Sequence, residues 1–339
     1  MFRAAFLLNC LLCLLYPTAA SAWGYQGHRV VGSIADQLLK PNAKRQVSQI
    51  LGFELRIAGP WADCVKSVVR DGNTFTYTEN PQHPEYEIPC TSFRTATEQK
   101  RMEDYVGRNW TQCVYPTTGT ERGCHNTYHF DDLAEERDHF DRSFMGTNEH
   151  DLVAAITAAI AVLRDKPAPA PFSIADKKDA LFMLAHFLGD LHQPLHVAAV
   201  YLDPHGQLVD PDATHQTDPT TDTVGGNNIH DGHSLFHAEW DAIPSDLGEA
   251  ATPALLSAAQ SQPASQGSFE DWPVAWASDT ILVSHDAFTG MKFKQTSAQH
   301  WSVTFNDRPA YLASQEKIKR QQLAKAGARL AELLNAIWP

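Results

Sequence analysis

The side chains best suited to chemistry are histidines and aspartates, and they fall in five separated groups. The densest is His186-Phe-Leu-Gly-Asp190-Leu-His192-Gln-Pro194-Leu-His196. His186 and Asp190 are four apart, so on a helix they share one face. Pro194 clashes with the carbonyl four residues back, so the helix ends or kinks at Asp190, which can swing His196 towards the same cavity. An H-x3-D-x5-H set inside an otherwise apolar helix is buried charge that needs partners or metal. His237-Ala-Glu-Trp-Asp241 repeats the i, i+4 pairing after Gly225-Gly226-Asn227-Asn228, a tight loop where backbone can approach a ligand. Tyr128-His129-Phe130-Asp131-Asp132 and Trp61-Ala62-Asp63-Cys64-Val65-Lys66 are each weak alone, since an Asp three before a Lys is usually a solvated pair. The fifth group is Trp23-Gly-Tyr-Gln-Gly-His28. Together these ligands, lacking thiolates, favour zinc, and several such ions side by side suit phosphoester hydrolysis.

The elements that position these groups read as mainly helical. Arg29 to Leu51 has apolar residues at three- and four-residue intervals with a break at Pro41, and Asp151 to Leu163 reads as a buried helix. Ser173 is a candidate N-cap for a helix running through Ala180 to beyond His192. Pro309 to Trp338 forms one long amphipathic helix, or two. The intervals Gly52–Cys124 and Tyr201–Val224 read as loops or short strands. Alternating strand-like stretches are scarce, which gives an all-α, mainly helical domain over 23–339 with long functional loops.

Residues 1–22 read as a signal peptide: Arg3, an apolar core from Ala4 to Tyr16 too short to span a bilayer, and the small-x-small site Ala20-Ser21-Ala22. Cleavage there makes Trp23 the N-terminus of a secreted or periplasmic protein with no membrane attachment. Its free amino group, with a pKa of about 7.7–8.0, can give up its proton to a metal near neutral pH. Its own carbonyl oxygen would close a five-membered chelate ring. Cys64, Cys90, Cys113 and Cys124 remain after cleavage, enough for two disulfides with three possible connectivities. Cys64–Cys90 with Cys113–Cys124 is preferred because each closes a local loop, and the absence of C-x2-C spacing disfavours a four-cysteine zinc site. The formal charge of −13 argues against a basic groove that grips long nucleic acid through its phosphates.

In order and residue type, the five motifs resemble the zinc-dependent, single-strand-specific nucleases and 3′-nucleotidases of the S-one/P-one type. The resemblance runs from Trp23 to about Asp241, and the helical remainder carries no motif. It implies a fold like that of phospholipase C and P-one nuclease, with a cleft holding three zinc ions. By the same resemblance, Asp63, His129 and His186 would hold one ion, and His196, His237 and Asp241 a second. Trp23 (through its amine and carbonyl), His28 and Asp190 would hold the third. His192 would stand behind the ligands, and the other His would lie on the surface.

Phe130 would stack on a base, Asn227 would bond its edge, and Asp132 and Lys66 would sit near the scissile phosphate. The implied reaction is attack of zinc-bound hydroxide on phosphorus. It would convert single-stranded DNA and RNA to 5′-mononucleotides, and 3′-nucleotides to nucleoside and phosphate, with the protein acting as a monomer. The alternatives are a zinc-dependent phospholipase C-like phosphodiesterase and a secreted zinc-binding protein without catalysis. The spacing from Trp23 to His28, Asp241 in place of Glu, and the Gly-Gly-Asn loop favour nucleotides over lipids.

Overall fold

Pro41 does break the first apolar stretch. Helix α1 covers Tyr25–Leu38, and α2, Pro41–Leu51, begins on the proline, where a missing N–H costs nothing. The computed structural model describes residues 23–80, 87–110, 112–114, 121–213 and 218–339. The signal-peptide reading of 1–22 lies outside them. Two single turns, α3 (Leu55–Ala58) and α4 (Trp61–Cys64), carry the chain past Asp63 to α5 (Ala96–Arg108). Next come α6 (Leu152–Leu163), capped by Asp151, and α7 (Lys177–Asp190). After α8 (Pro194–Val197) and α9 (Phe236–Asp241), the chain closes with α10 (Pro253–Gln260), α11 (Trp272–Phe288) and α12 (Arg308–Ile337).

Strands are few and short. β1 (Val68–Asp71) and β2 (Thr74–Tyr77) form one antiparallel pair, and β3 (Gln112–Val114) and β4 (Glu121–Gly123) another. β5 (Leu133–Ala134) runs parallel to β6 (Ala198–Ala199). β7 (Ile229–Asp231), β8 (Ser234–Leu235), β9 (Met291–Ser297) and β10 (His300–Phe305) form a four-stranded sheet in the order β8-β7-β10-β9. Both disulfides form with the preferred pairing, Cys64–Cys90 and Cys113–Cys124.

Three expectations need correction. The N-cap of α7 is Asp176, whose side chain accepts from Lys178 N and Asp179 N, not Ser173. Ser173 is committed elsewhere: its N–H and carbonyl are both bonded to the Asn109 carboxamide at the end of α5. That same burial leaves Asn109, the head of an N-x-T sequon, no room for a glycan. Helix α7 also ends at Asp190 rather than beyond His192, and Pro194 opens the next turn. Finally, α5 lies within a segment expected to be loop or strand. Its buried side chains are only Met102, Tyr105 and Val106, a single apolar patch in a charged sequence.

The centre of the molecule is α7. Every side chain from Asp179 to Asp190 is buried, because α1, α3, α4, α6 and α12 pack around it. A helix apolar on all sides has to be enclosed in this way. Helix α12, about 45 Å long, lies along α1, and Gly327 is the point of closest approach. A β-carbon there would fall 2.5 Å from Ile34 Cβ and 3.0 Å from Val31 O. Gly327→Ala is therefore expected to destabilise the fold by about 1–3 kcal/mol despite alanine's better helix propensity, as measured by denaturant unfolding.

Candidate metal centre

Six parts of the chain deliver metal-type side chains to one buried cluster. Helix α7 brings His186 and Asp190, and α8 brings His196 round after the turn that Pro194 enforces. Helix α9 brings His237 and Asp241, α1 His28, α4 Asp63, and the segment before β5 His129. Their donor atoms form three groups, each with all atoms within 4.8 Å: His28–Asp63–His186, His129–His186–Asp190 and His196–His237–Asp241.

Asp190 borders two of the groups: Oδ2 is 3.0 Å from His129 Nδ1, and Oδ1 is 3.4 Å from His28 Nε2. His186 Nε2 lies 3.1 Å from His129 Nδ1 and 3.8 Å from Asp63 Oδ1. The His28 and His186 rings stack at 3.7 Å. Trp23 is fully buried just before α1, and Gly24 N donates to Asp241 O at 2.9 Å. The N-terminal end of the described chain is thereby fastened to α9, which carries His237 and Asp241.

Backbone carbonyls fix the histidine tautomers. His186 Nδ1 donates to Gly59 O, His196 Nδ1 to His129 O, and His237 Nδ1 to Gly225 O, at 2.7, 2.7 and 2.6 Å. In the neutral rings each Nε2 is then a bare lone pair. The Nε2 atoms of His196 and His237 face each other at 3.1 Å, lone pair against lone pair when both rings are neutral. His28 Nδ1 and Nε2, His129 Nε2 and Asp190 Oδ1 are buried with no hydrogen-bond partner. Lone pairs in this arrangement fit divalent cations.

The carboxylates divide the rings: against the effect of burial, Asp190 and Asp63 raise His186, and Asp241 and Asp190 raise His196, while the other three move down. Burial, with help from His186, pushes His28 down to about 3, and burial with Lys66 pushes His129 to about 3, so both rings stay neutral. Burial also lowers His237. For Asp190, burial favours protonation, but His186 and the bond from His129 outweigh it and hold the carboxyl well below the usual range. Cys113, Cys124 and His150 also lie close together, but that pair of sulfurs is consumed in the disulfide.

A family model described as S1/P1 Nuclease matches residues 23–113 and 110–339. The chain belongs to the S1/P1 nuclease family. A search of curated proteins returns no match. The family match extends past Asp241 through α12, further than the motifs alone reach. S1/P1 nucleases are metal-dependent and have a helical, phospholipase C-like fold, and their substrates are nucleic acids.

The other expected S1/P1 site residues lie around the cluster. Lys66 Nζ is 2.7 Å from Asp63 Oδ1, a half-buried pair rather than a solvated one. Asp132 is buried beside His237: a β-carbon at Gly225 would lie 3.5 Å from Asp132 Oδ1 and 3.4 Å from His237 Nδ1. Its carboxyl is pushed well up by burial and then by Asp222. Asp131 is buried, and burial and then Asp151 push its carboxyl well up. Phe130 is half-buried, and its peptide is pinned where Leu152 N donates to Phe130 O and Asp131 N to His196 O.

Asn227 Nδ2 donates to Val224 O inside a loop whose Val224, Gly225 and Gly226 have φ of 54°, 55° and 83°. That conformation is costly for a β-branched residue, and it aims Gly225 O at His237. His192 faces away from the ligands: Nδ1 donates to Leu188 O and Nε2 accepts from Arg329 on α12. His125, expected on the surface, is buried, and burial pushes it down to about 3.

Two supporting residues escaped the sequence reading. Lys319 on α12 is buried and donates to Glu239 O and Ala242 O at 2.6 and 2.7 Å, closing the carbonyl end of α9. Nothing distinguishes it in sequence from the neighbouring Lys317 and Arg320. Gln193 precedes Pro194 at an N-cap position, which was the available signal. Because Asp190 faces two groups, Asp190→Asn should lower the metal content of the purified protein by at least one ion per chain, read by elemental analysis. Content equal to the parent's refutes the shared role.

Proposed function

We propose that this S1/P1 family member is a secreted zinc-dependent phosphodiesterase that cleaves single-stranded DNA and RNA to 5′-mononucleotides and removes the phosphate of 3′-nucleotides. The observation that carries this reading is the set of buried His28, His129 and Asp190 atoms without hydrogen-bond partners, beside His196 and His237 Nε2 atoms 3.1 Å apart. In this reading residues 1–22 are removed, and residues 23–339 act as one monomeric unit. The two disulfides suit an oxidising compartment, and no helix among the described residues is long and apolar enough to cross a membrane.

Three zinc ions are assigned to nine ligands: Asp63, His129 and His186; His196, His237 and Asp241; and Trp23, His28 and Asp190. Bound zinc supplies Lewis acidity towards phosphoryl oxygens and water. The chain's own groups do the rest. Lys66 offsets charge that develops on the phosphate, from a fixed place beside Asp63. Phe130 stacks on a base and Asn227 bonds its edge, so the strand enters with its bases unpaired. Asp132 stands next to the scissile phosphate. Water adds to phosphorus, the bond to the 3′ oxygen breaks, and that oxygen takes up a proton to leave as a hydroxyl.

The primary test compares protein beginning at Trp23 with protein retaining residues before it. The first should release 5′-mononucleotides from single-stranded DNA and RNA in a chelator-sensitive way. The second should be inactive, because an amide nitrogen cannot replace the free amine. Equal activity of both sinks the role of Trp23, and no release by the first sinks the reading. Phe130→Ala should raise KM for single strands roughly tenfold or more while zinc content stays constant, since one base stack is worth about 1–3 kcal/mol.

A further inference from the structure

Gln193 has no place in the assignments above, yet its side chain is fully buried between two elements that carry metal-type residues. Its Oε1 accepts from Leu195 N at 2.6 Å, and its Nε2 donates to Asp241 Oδ1 at 2.8 Å. The orientation of the amide is determined, because a peptide N–H can be met only by the oxygen, which leaves the NH2 for the carboxylate. Leu195 is the neighbour of His196 on α8, and Asp241 closes α9. One amide therefore ties Asp241 to the peptide next to His196, linking the two elements that carry the His196–His237–Asp241 group.

We propose that Gln193 is a positioning residue for this group: it sets the rotation of the Asp241 carboxylate relative to His196, and so tunes the affinity for the ion held there. The inference rests on the metal reading above. Asp241 Oδ1 is 3.7 Å from His196 Nε2, and Oδ2 is 3.4 Å from His237 Nε2. With Oδ1 held by Gln193, the carboxylate cannot swing away from the two imidazoles. Its backbone is also held, since Asp241 O accepts from Gly24 N. The chemistry of the donor matters. A Lys or Arg at this place would bring a charge that repels a metal ion, whereas a neutral amide fixes the carboxylate and leaves its charge in place. Partners of this kind typically account for about 10–100-fold in metal affinity.

The test uses Gln193→Met, which keeps the length and volume of the side chain and lacks both hydrogen-bonding groups. Zinc release from the zinc-loaded, Trp23-starting protein is followed by chelator competition, beside the visible spectrum of the cobalt-loaded protein and the Tm of the metal-free protein. The expected result is one equivalent released about 10–100-fold more readily, an altered cobalt spectrum, and the other equivalents and the metal-free Tm unchanged. All equivalents within about twofold of the parent overturns the proposal. So does uniform loosening of every equivalent with a lower metal-free Tm, which makes Gln193 a packing residue only. If Gln193→Met does not fold, Gln193→Asn, one methylene too short to span both partners, is read by the same measurement. A parent that binds no zinc would instead refute the metal reading, so the two failures are separable.

Discussion

Much of this structure answers one constraint: nitrogen lone pairs and carboxylate oxygens are held face to face, away from water. Imidazole nitrogens at 3.1 Å repel when both rings are neutral, and buried carboxylates without partners are costly. A chain left to relax would rotate these rings apart. Here they are held because each of three rings is fixed at its far nitrogen by a carbonyl of a different segment: Gly59, His129 and Gly225. Those carbonyls are themselves placed by tertiary packing. Asp63, on a four-residue turn, adjoins the Cys64–Cys90 disulfide, which anchors a segment too short to hold itself.

Helix α7 explains how a small protein can carry such a cluster without collapsing it. Its apolar side chains face every direction, so the helix cannot lie on the surface, and its last turn is forced to bring His186 and Asp190 into the interior. The surrounding helices then have little choice of orientation. Helix α1 reaches it with His28, α12 backs α1 through the close approach at Gly327, and Lys319 from the same α12 clamps the carbonyl end of α9. The longest helix carries none of the proposed ligands and supports two elements that carry them.

What the sequence makes legible follows from the range of each signal. The i, i+4 pairs His186/Asp190 and His237/Asp241, the stop imposed by Pro194 and the break at Pro41 are local, and the helices honour them. The α7 cap is a near miss for a tertiary reason, since Ser173 is drawn off by Asn109, 64 residues away in sequence. The β9–β10 hairpin left only a faint trace, since Met291, Phe293 and Gln295 alternate with more exposed neighbours but none of the three is fully buried. Lys319 and Gln193 act on residues dozens of positions away, and nothing in their own neighbourhood marks the distance they must bridge. Chemical groups recur at readable spacings, while the residues that hold them in place are chosen by the fold.

The acidity of the chain looks at odds with a polyanionic substrate until charge is considered at the scale of the site. In the proposed three-ion state, three divalent ions face the carboxylates of Asp63, Asp190 and Asp241, which leaves a local excess of positive charge with Lys66 beside it. The formal charge of −13 counts the whole chain, buried carboxylates such as Asp190 and Asp241 included, and the remainder lies on the exterior. In physiological salt exposed charges act over about 8 Å, so the cluster dominates for a phosphate that reaches it and the acidic exterior dominates for one that does not. A stiff duplex holds many phosphates against that exterior for each one it could offer inside, and it hides the base faces that Phe130 would stack on. A flexible single strand can send in one phosphate and its base together. The proposed selectivity for unpaired strands would then follow from burying the cations in an acidic body, with no base-specific groove required.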